Sequence, residues 1–251
     1  MADVRLIPCL SDNYAVLVHK GDETILVDVP EAGPINAALA ETGWTLTTVL
    51  ITHHHADHVQ GLADVRGSAR VIGPANEAGK ISGLDETVKD GQSFMLGDIA
   101  VEAIETPGHT AGPISYFMPG EGLAFTADTL FAMGCGRLFE GKPATMWASL
   151  KRLRDALPDE TQIYCGHEYT ETNVRYANQA LPNDAAVAER LKVVQEARAR
   201  GEVTVPTTMA LEKATNPFMR ADDPAVAEAL GMAGADPVEV FTKLRAGRDV
   251  F

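Results

Sequence analysis

The sequence predicts an α/β (α+β) protein, rich in β-structure, that ends in a small helical domain. Three observations carry that prediction. Short runs of β-branched and apolar residues alternate with Gly, Asp and Pro turn signals through residues 1 to about 168. Helical spacing interrupts them at least twice in that stretch. From Glu171 onward the composition shifts to Ala, Glu and Arg and loses the strand pattern. A chain of 251 residues is long enough for one sizeable core with a smaller unit attached.

Taken in order, Val4 to Pro8 and Tyr14 to His19 read as strands. Thr24 to Asp28 follows the hairpin-like turn Lys20-Gly-Asp-Glu. Pro34 to Thr42 reads as a helix closed by Gly43, the residue that best adopts the left-handed conformation of a helix end. Val49-Leu-Ile-Thr52 is a short buried strand, and further strands are expected at Ala69–Ile72, Gln92–Ile104, Ile114–Met118 and Leu123–Phe125. Met146, Leu150, Leu153 and Leu157 recur at steps of three or four, which predicts an amphipathic helix over Thr145–Leu157. Beyond a boundary placed near 168, Asn183-Asp184 offers a helix N-cap for Ala185–Arg200, with Gly201 closing it. Asp236-Pro237 opens a last helix over Val238–Ala246, and Val203–Arg220 shows no helical period.

The formal net charge of −14 disfavours a protein that grips nucleic acid through a basic surface. No signal-like stretch follows Met-Ala-Asp-Val-Arg, and no apolar run approaches membrane-spanning length, so a cytoplasmic protein with no membrane or nucleic-acid partner is expected. Cys9, Cys135 and Cys165 are odd in number and widely spaced, which is no disulfide framework. Cys165 lies two residues before His167, but the apolar Gln162-Ile-Tyr-Cys165 run favours a buried strand thiol over a metal thiolate.

Four of the chain's seven histidines fall within Thr52-His-His-His-Ala-Asp-His58. Imidazole and carboxylate suit zinc and other first-row divalent ions. His53 and His55 are two apart just past a strand, so both can face one ion while His54 points away. Asp57 and His58 come after the chain begins to turn and can approach from another side. An affinity-tag remnant would be terminal, and this run is internal. His109 in Thr106-Pro-Gly-His-Thr110, Asp128 in Phe125-Thr-Ala-Asp-Thr129 and His167 in Cys165-Gly-His-Glu-Tyr-Thr170 each follow a predicted strand. Strand-end loops are where a rigid scaffold aims several side chains at one point.

These segments, in this order, resemble the metallo-β-lactamase superfamily. Gly134-Cys-Gly-Arg-Leu-Phe-Glu-Gly141, Ala214-Thr-Asn-Pro-Phe-Met-Arg220 and Leu244-Arg-Ala-Gly-Arg-Asp-Val-Phe251 narrow the resemblance to glyoxalase II, the hydroxyacylglutathione hydrolases. It implies a four-layer αββα metallo-β-lactamase-like sandwich, residues 1–168, with a small C-terminal α-helical domain, residues 169–251, that binds glutathione. It implies two divalent metal ions per chain, with zinc expected and iron or manganese as alternatives. His53, His55 and His109 would hold one ion, Asp57, His58 and His167 the other, and Asp128 would bridge them. Asp28, at the end of its strand, would support the ligands from behind. The expected nucleophile is a hydroxide between the ions, formed near neutral pH because the ions lower the pKa of water. Asp57 would orient it and accept its proton. The expected reaction converts S-(2-hydroxyacyl)glutathione, typically S-D-lactoylglutathione, and water to glutathione and D-lactate, a step of methylglyoxal detoxification.

An acidic protein must supply a local cationic patch for a ligand with two carboxylates. The resemblance assigns that task to Arg137, Arg245 and Arg248, whose planar forks suit carboxylates. Arg245 and Arg248 are three apart near the end of the last helix and can share a face. Tyr169 matches a substrate-contact position. Phe139 stands where a tyrosine is often found, and Ala56 and Ala111-Gly-Pro113 also depart from the family pattern, which bears on affinity rather than chemistry. A monomer is expected. The competing readings are a mononuclear iron persulfide dioxygenase of the same fold and another metallo-hydrolase such as a lactonase, β-lactamase or nuclease. The C-terminal arginine motif argues against the first, the net charge against the nuclease, and the intact ligand pattern against a non-catalytic binding protein.

Overall fold

The computed structural model describes residues 1–251. Two six-stranded mixed sheets face each other, with helices on both outer faces. In the first sheet β1 (Asp3–Cys9), β2 (Asn13–Lys20) and β3 (Glu23–Val27) form an antiparallel meander. β4 (Thr48–Leu50), β5 (Arg70–Pro74) and β6 (Glu86–Val88) extend it in parallel. Parallel neighbours need crossovers, and α1 (Ala32–Thr42), α2 (Ala56–Val59) and α3 (Leu62–Val65) lie in them. Gly43 closes α1 at φ 71° and returns its N–H to the Leu39 carbonyl, as its sequence position predicts.

The second sheet contains β7 (Ser93–Leu96), β8 (Ile99–Glu105), β9 (Ile114–Met118) and β10 (Leu123–Ala127). After the hairpin β11 (Leu130–Phe131) and β12 (Gly134–Cys135) and the helix α4 (Pro143–Ala156), β13 (Gln162–Cys165) pairs in parallel with β10. α5 (Thr170–Ala180) and α6 (Ala185–Ala199) follow, then β14 (Thr207–Thr208) adds an edge to β13. α7 (Met209–Thr215), α8 (Pro224–Ala229) and α9 (Pro237–Asp249) complete the chain.

Period-two alternation in the strands decides which core each side chain joins. Val16, Val18, Ile25, Val27, Leu50 and Tyr116 face inward and fill the space between the sheets. Leu17, Leu26, Val49 and Val71 face outward and pack under α1 and α3 against Ile35 and Leu62. Phe117, Ala124 and Ile163 leave the other sheet on its outer side and meet Trp147 and Leu150 of α4, with Val174, Phe218 and Phe241 from beyond residue 168. Each large apolar side chain so buried contributes about 1.5–3 kcal/mol. The layers are αββα.

The structure corrects several boundaries. The Gln92–Ile104 stretch is two strands, because Gly97 at φ 53° turns the chain between β7 and β8. Val203–Arg220 holds β14 and α7, too short to show a period. The last helix runs three residues past Ala246 to Asp249, which places Arg248 on it. Pairing of β4 ends at Leu50, so Ile51 and Thr52 are already loop. No helix is long and apolar enough to cross a membrane.

Candidate metal centre and substrate cavity

The structure brings together all seven residues expected to be ligands, at one edge of the sandwich. Four come from the first sheet: His53 and His55 leave β4, and Asp57 and His58 lie on the single turn α2. Three come from the second: His109 follows β8, Asp128 follows β10, and His167 follows β13. Ligand atoms of His53, His55 and His109 lie within 4.8 Å of one another, as do those of Asp57, His58 and His167. Asp128 sits between the two groups. Its Oδ1 is 3.4 Å from His58 Nε2, and its Oδ2 is 3.3 Å from both His109 Nε2 and His167 Nε2.

Local backbone features make this convergence possible. Asp28 and Ala127 have positive φ, 58° and 40°. Aspartate tolerates that region because its short polar side chain bonds locally. At Ala127 the β10–β13 register breaks, and the bulge swings Asp128 inward. Gly166 must lack a side chain, because a Cβ there would come within 2.8 Å of His58 Cε1 and meet Asp128 Oδ1.

The outward nitrogens of four of the five rings are held, which fixes how their inward ones point. His58 Nδ1 donates to Asp28 Oδ2 at 2.7 Å, and Asp28 also accepts from the amide and hydroxyl of Thr52. Because that hydroxyl is spent on Asp28, its oxygen accepts from His53 Nδ1 at 3.0 Å. His109 Nδ1 donates to the Arg137 carbonyl at 2.8 Å and His167 Nδ1 to Asp12 Oδ1 at 2.8 Å. His53 Nε2, His58 Nε2 and Asp128 Oδ1 are buried with no hydrogen-bond partner. His55 Nδ1 and His109 Nε2 face each other at 2.9 Å. Buried polar atoms without partners are rare and costly. A set of imidazoles and carboxylates left open toward one point fits divalent cations, and the donor set suits a dinuclear metal site.

The electrostatics agree. Burial, reinforced by neighbouring histidines, holds His53 and His55 below the ordinary imidazole range. Burial opposes a charge on His58, but Asp128 and Asp28 outweigh it and raise its pKa well above the usual value. Burial likewise opposes ionisation of Asp128, and His58 and His167 overcome it, keeping the carboxyl well below its usual range.

Above the cluster opens a cavity of about 530 Å³, and every residue expected to contact substrate lines it. Tyr169 stacks on His167 with ring centroids 4.7 Å apart and planes 6° apart. Phe139 stands edge-on to His55 and His109 with 63% of its surface exposed. Arg137 is exposed, with Nε 3.6 Å from Asp249 Oδ1. Arg248 donates from Nε to Asn173 Oδ1 at 3.0 Å, and burial and the neighbouring Arg245 lower its pKa. Arg245 is buried rather than open to solvent. It is 5% exposed, lies over Phe218, and donates to the Cys135 carbonyl at 2.7 Å and Asp249 at 3.0 Å. Cys165 is buried with its thiol directed at the His167 carbonyl and joins neither ligand group.

Sequence reasoning missed Asp12 and Asn13. Asn13 Nδ2 holds Asp57 Oδ2 at 3.0 Å while Asp12 holds His167, so one short loop orients a ligand from each sheet. Ser11-Asp-Asn13 between two strands reads as ordinary turn chemistry, and nothing local separates the two uses. The roles of Asn173 and Asp249 beside the arginines were equally hidden.

The layers and the donor set define a class: a metallo-β-lactamase-type sandwich with its centre at the sheet edge. Residues 10–167 match the metallo-beta-lactamase superfamily, and residues 168–251 match the family described as hydroxyacylglutathione hydrolase C-terminus. A hydroxyacylglutathione hydrolase of Ruegeria pomeroyi is 49% identical over 253 residues, covering 99% of this chain and 99% of the relative. One of Maricaulis maris is 48% identical, covering 99% of this chain and 98% of the relative. The crystal structure of ETHE1 from Myxococcus xanthus shares the fold at TM-score 0.67 and 24% identity, covering 98% of this chain and 99% of that one. The chain belongs to the hydroxyacylglutathione hydrolase family of the metallo-beta-lactamase superfamily.

Proposed function

We propose that this protein is a metal-dependent thioester hydrolase that converts S-(2-hydroxyacyl)glutathione, with S-D-lactoylglutathione as the expected substrate, to glutathione and D-lactate. The observation that carries the reading is the joining of two chemistries in one cavity: a floor of His55, Asp57, His109, Asp128 and His167, and a wall holding Arg137, Arg245 and Arg248. Two divalent ions, most simply zinc, would be held by His53, His55 and His109 and by Asp57, His58 and His167, with Asp128 between; when bound, they supply Lewis acidity and lower the pKa of water.

The chain's own groups do the rest. Asp57 is held at Oδ2 by Asn13, which leaves its other oxygen to orient the attacking water and accept its proton. The arginines bind the ligand's carboxylates, Arg248 and Arg137 directly and Arg245 as the buried charge behind them. Tyr169 and Phe139 flank the acyl group and narrow the entry of bulk water. The leaving group is a thiolate, which needs no dedicated acid. We divide the chain functionally into residues 1–168, which supply all seven ligands, and residues 169–251, which supply Tyr169, Arg245 and Arg248. A monomer and a cytoplasmic setting complete the proposal.

The test is steady-state hydrolysis of S-D-lactoylglutathione by zinc-loaded protein, with an S-acyl-coenzyme A thioester as control. Turnover of the glutathione thioester alone is expected. Turnover of neither, with oxygen consumed on addition of glutathione persulfide, would replace this reading with the mononuclear iron dioxygenase.

A further inference from the structure

The centre is built from two sheets, so its geometry depends on how firmly two ligand loops are fixed to each other. On one flank Asp12 and Asn13 make that connection. On the other the Ile114 amide donates directly to the Thr52 carbonyl at 2.9 Å, and the side-chain connection is Glu77, on a 3-10 turn over Ala75–Lys80 that follows β5. Its carboxylate is 1% exposed and accepts three hydrogen bonds. Oε2 takes the His54 amide at 2.9 Å and His54 Nδ1 at 2.7 Å, while Oε1 takes the Gly112 amide at 3.0 Å. His54 lies between His53 and His55 in the first-sheet loop, and Gly112 lies in the second-sheet loop that carries His109. No lysine or arginine pairs with this carboxylate; two backbone amides and one ring satisfy it.

The approach is close as well as polar. A Cβ on Gly112 would meet Asn76 Cβ at 2.5 Å, so the glycine lets the two segments touch. Glu140 closes the same corner, taking the Ala111 amide at 2.8 Å and Lys80 Nζ at 2.7 Å. His54, Glu77 and Glu140 are near enough to one another to suggest a third cation site. The carboxylates already accept amides, a ring N–H and an ammonium, so their lone pairs are committed to bracing.

We infer that Glu77 is a positioning residue for the metal centre: it tethers the His53–His58 loop to the His109–Pro113 loop and so sets the spacing of His53 and His55 from His109. The inference rests on the metal-site reading above. A buried carboxylate with three donors aimed at it costs free energy to desolvate, and an apolar staple would serve stability alone. What the carboxylate adds is direction, since its two oxygens fix two loops at a set separation.

The experiment compares Glu77→Gln and Glu77→Ala with the unaltered protein. Zinc affinity is measured by chelator competition, and amide hydrogen exchange is followed residue by residue in the metal-free state. Gln retains an acceptor for the His54 end but turns an NH₂ toward the Gly112 amide. Expected for Glu77→Gln is a zinc affinity about 10–100-fold weaker, the range for groups that orient ligands, with exchange protection lost at Gly112 and kept in the sheets. Glu77→Ala should lose protection at both His54 and Gly112. Uniform loss of protection throughout the sheets would mark a merely structural residue and overturn the assignment. So would wild-type zinc affinity in a folded Glu77→Gln protein, or weakened zinc binding with both amides still protected. If the unaltered protein binds no divalent ion, the metal-site reading fails by itself, and the exchange data still decide whether Glu77 is the tether.

Discussion

Asp28→Asn isolates the chemistry of one carboxylate from its shape. Asp28 Oδ1 accepts the Thr52 amide at 2.8 Å, and Oδ2 accepts the Thr52 hydroxyl and His58 Nδ1, each at 2.7 Å. Asparagine tolerates the φ of 58° as aspartate does, so the backbone adds no strain. Its carbonyl can keep the Thr52 amide, and the hydroxyl can rotate to accept. The third contact must reverse: the new NH₂ donates to His58 Nδ1, which drives the proton of the neutral ring onto Nε2. That is the atom with no partner in the structure, the one left open toward the centre. A protonated nitrogen cannot ligate. Loss of a group that fixes a ligand's tautomer weakens metal binding about 10–100-fold, or about 1.4–2.8 kcal/mol. Chelator competition and metal analysis of purified Asp28→Asn should show one site weakened by that amount while the other keeps its zinc. Two zinc ions bound as tightly as in the unaltered protein would refute the claim that Asp28 sets the His58 tautomer.

Asp128→Ala should abolish thioester hydrolysis and reduce bound metal, as measured by metal analysis alongside kinetics; full activity with two ions retained would sink its bridging place. Arg248→Ala should raise KM more than it lowers kcat, because a contact shared by ground and transition states is lost. Arg245→Ala should do the same and also lower the thermal midpoint, since it removes a buried donor from the Cys135 carbonyl. Burial pushes the Cys9 and Cys135 thiols up to about 11 and Cys165 to about 12. Iodoacetamide at pH 8 should therefore leave the native mass unchanged, with all three sites labelled only in denaturant, because the thiolate is the reactive form. Asp184 caps α6 and accepts Arg220 at 2.7 Å. Although burial resists its ionisation, Arg220 and the cap amides lower its pKa. Its stabilisation is thus present above the usual aspartate pKa and fades as pH falls through the depressed one. Urea titration should show Asp184→Ala costing about 1–2 kcal/mol near neutrality, a difference that shrinks below about pH 4.

The sheets were legible because alternation of apolar side chains is a local signal and these strands bury both faces. Val16 and Leu17 already announce two cores. The convergence of the expected ligand loops was legible because His and Asp are rare in such density and each followed a strand. Gly97, by contrast, looked like one more residue of a long strand, and α7 was too short for periodicity to register. The groups that hold the ligands were illegible for a different reason. Asp12, Glu77 and Asn13 find their partners in elements far along the chain, and an aspartate in a turn carries no mark of which distant imidazole it will meet. Arg245 shows the limit of residue-type reasoning: its charge fits the expected task, but its burial and its bond to Cys135 give it a share in the fold that the C-terminal motif did not reveal.

The division of the donors between two sheets also bears on how the molecule comes to exist. His53 and His167 are separated by most of the sandwich, and only docking of the second sheet on the first brings them within reach. Contacts of such long range form slowly, after their loop-closure entropy has been met. An ion captured early would find only His53, His55, Asp57 and His58, a partial set on a single loop. A metal centre completed by both sheets would thus form late in folding, and cation supply should slow unfolding far more than it speeds folding.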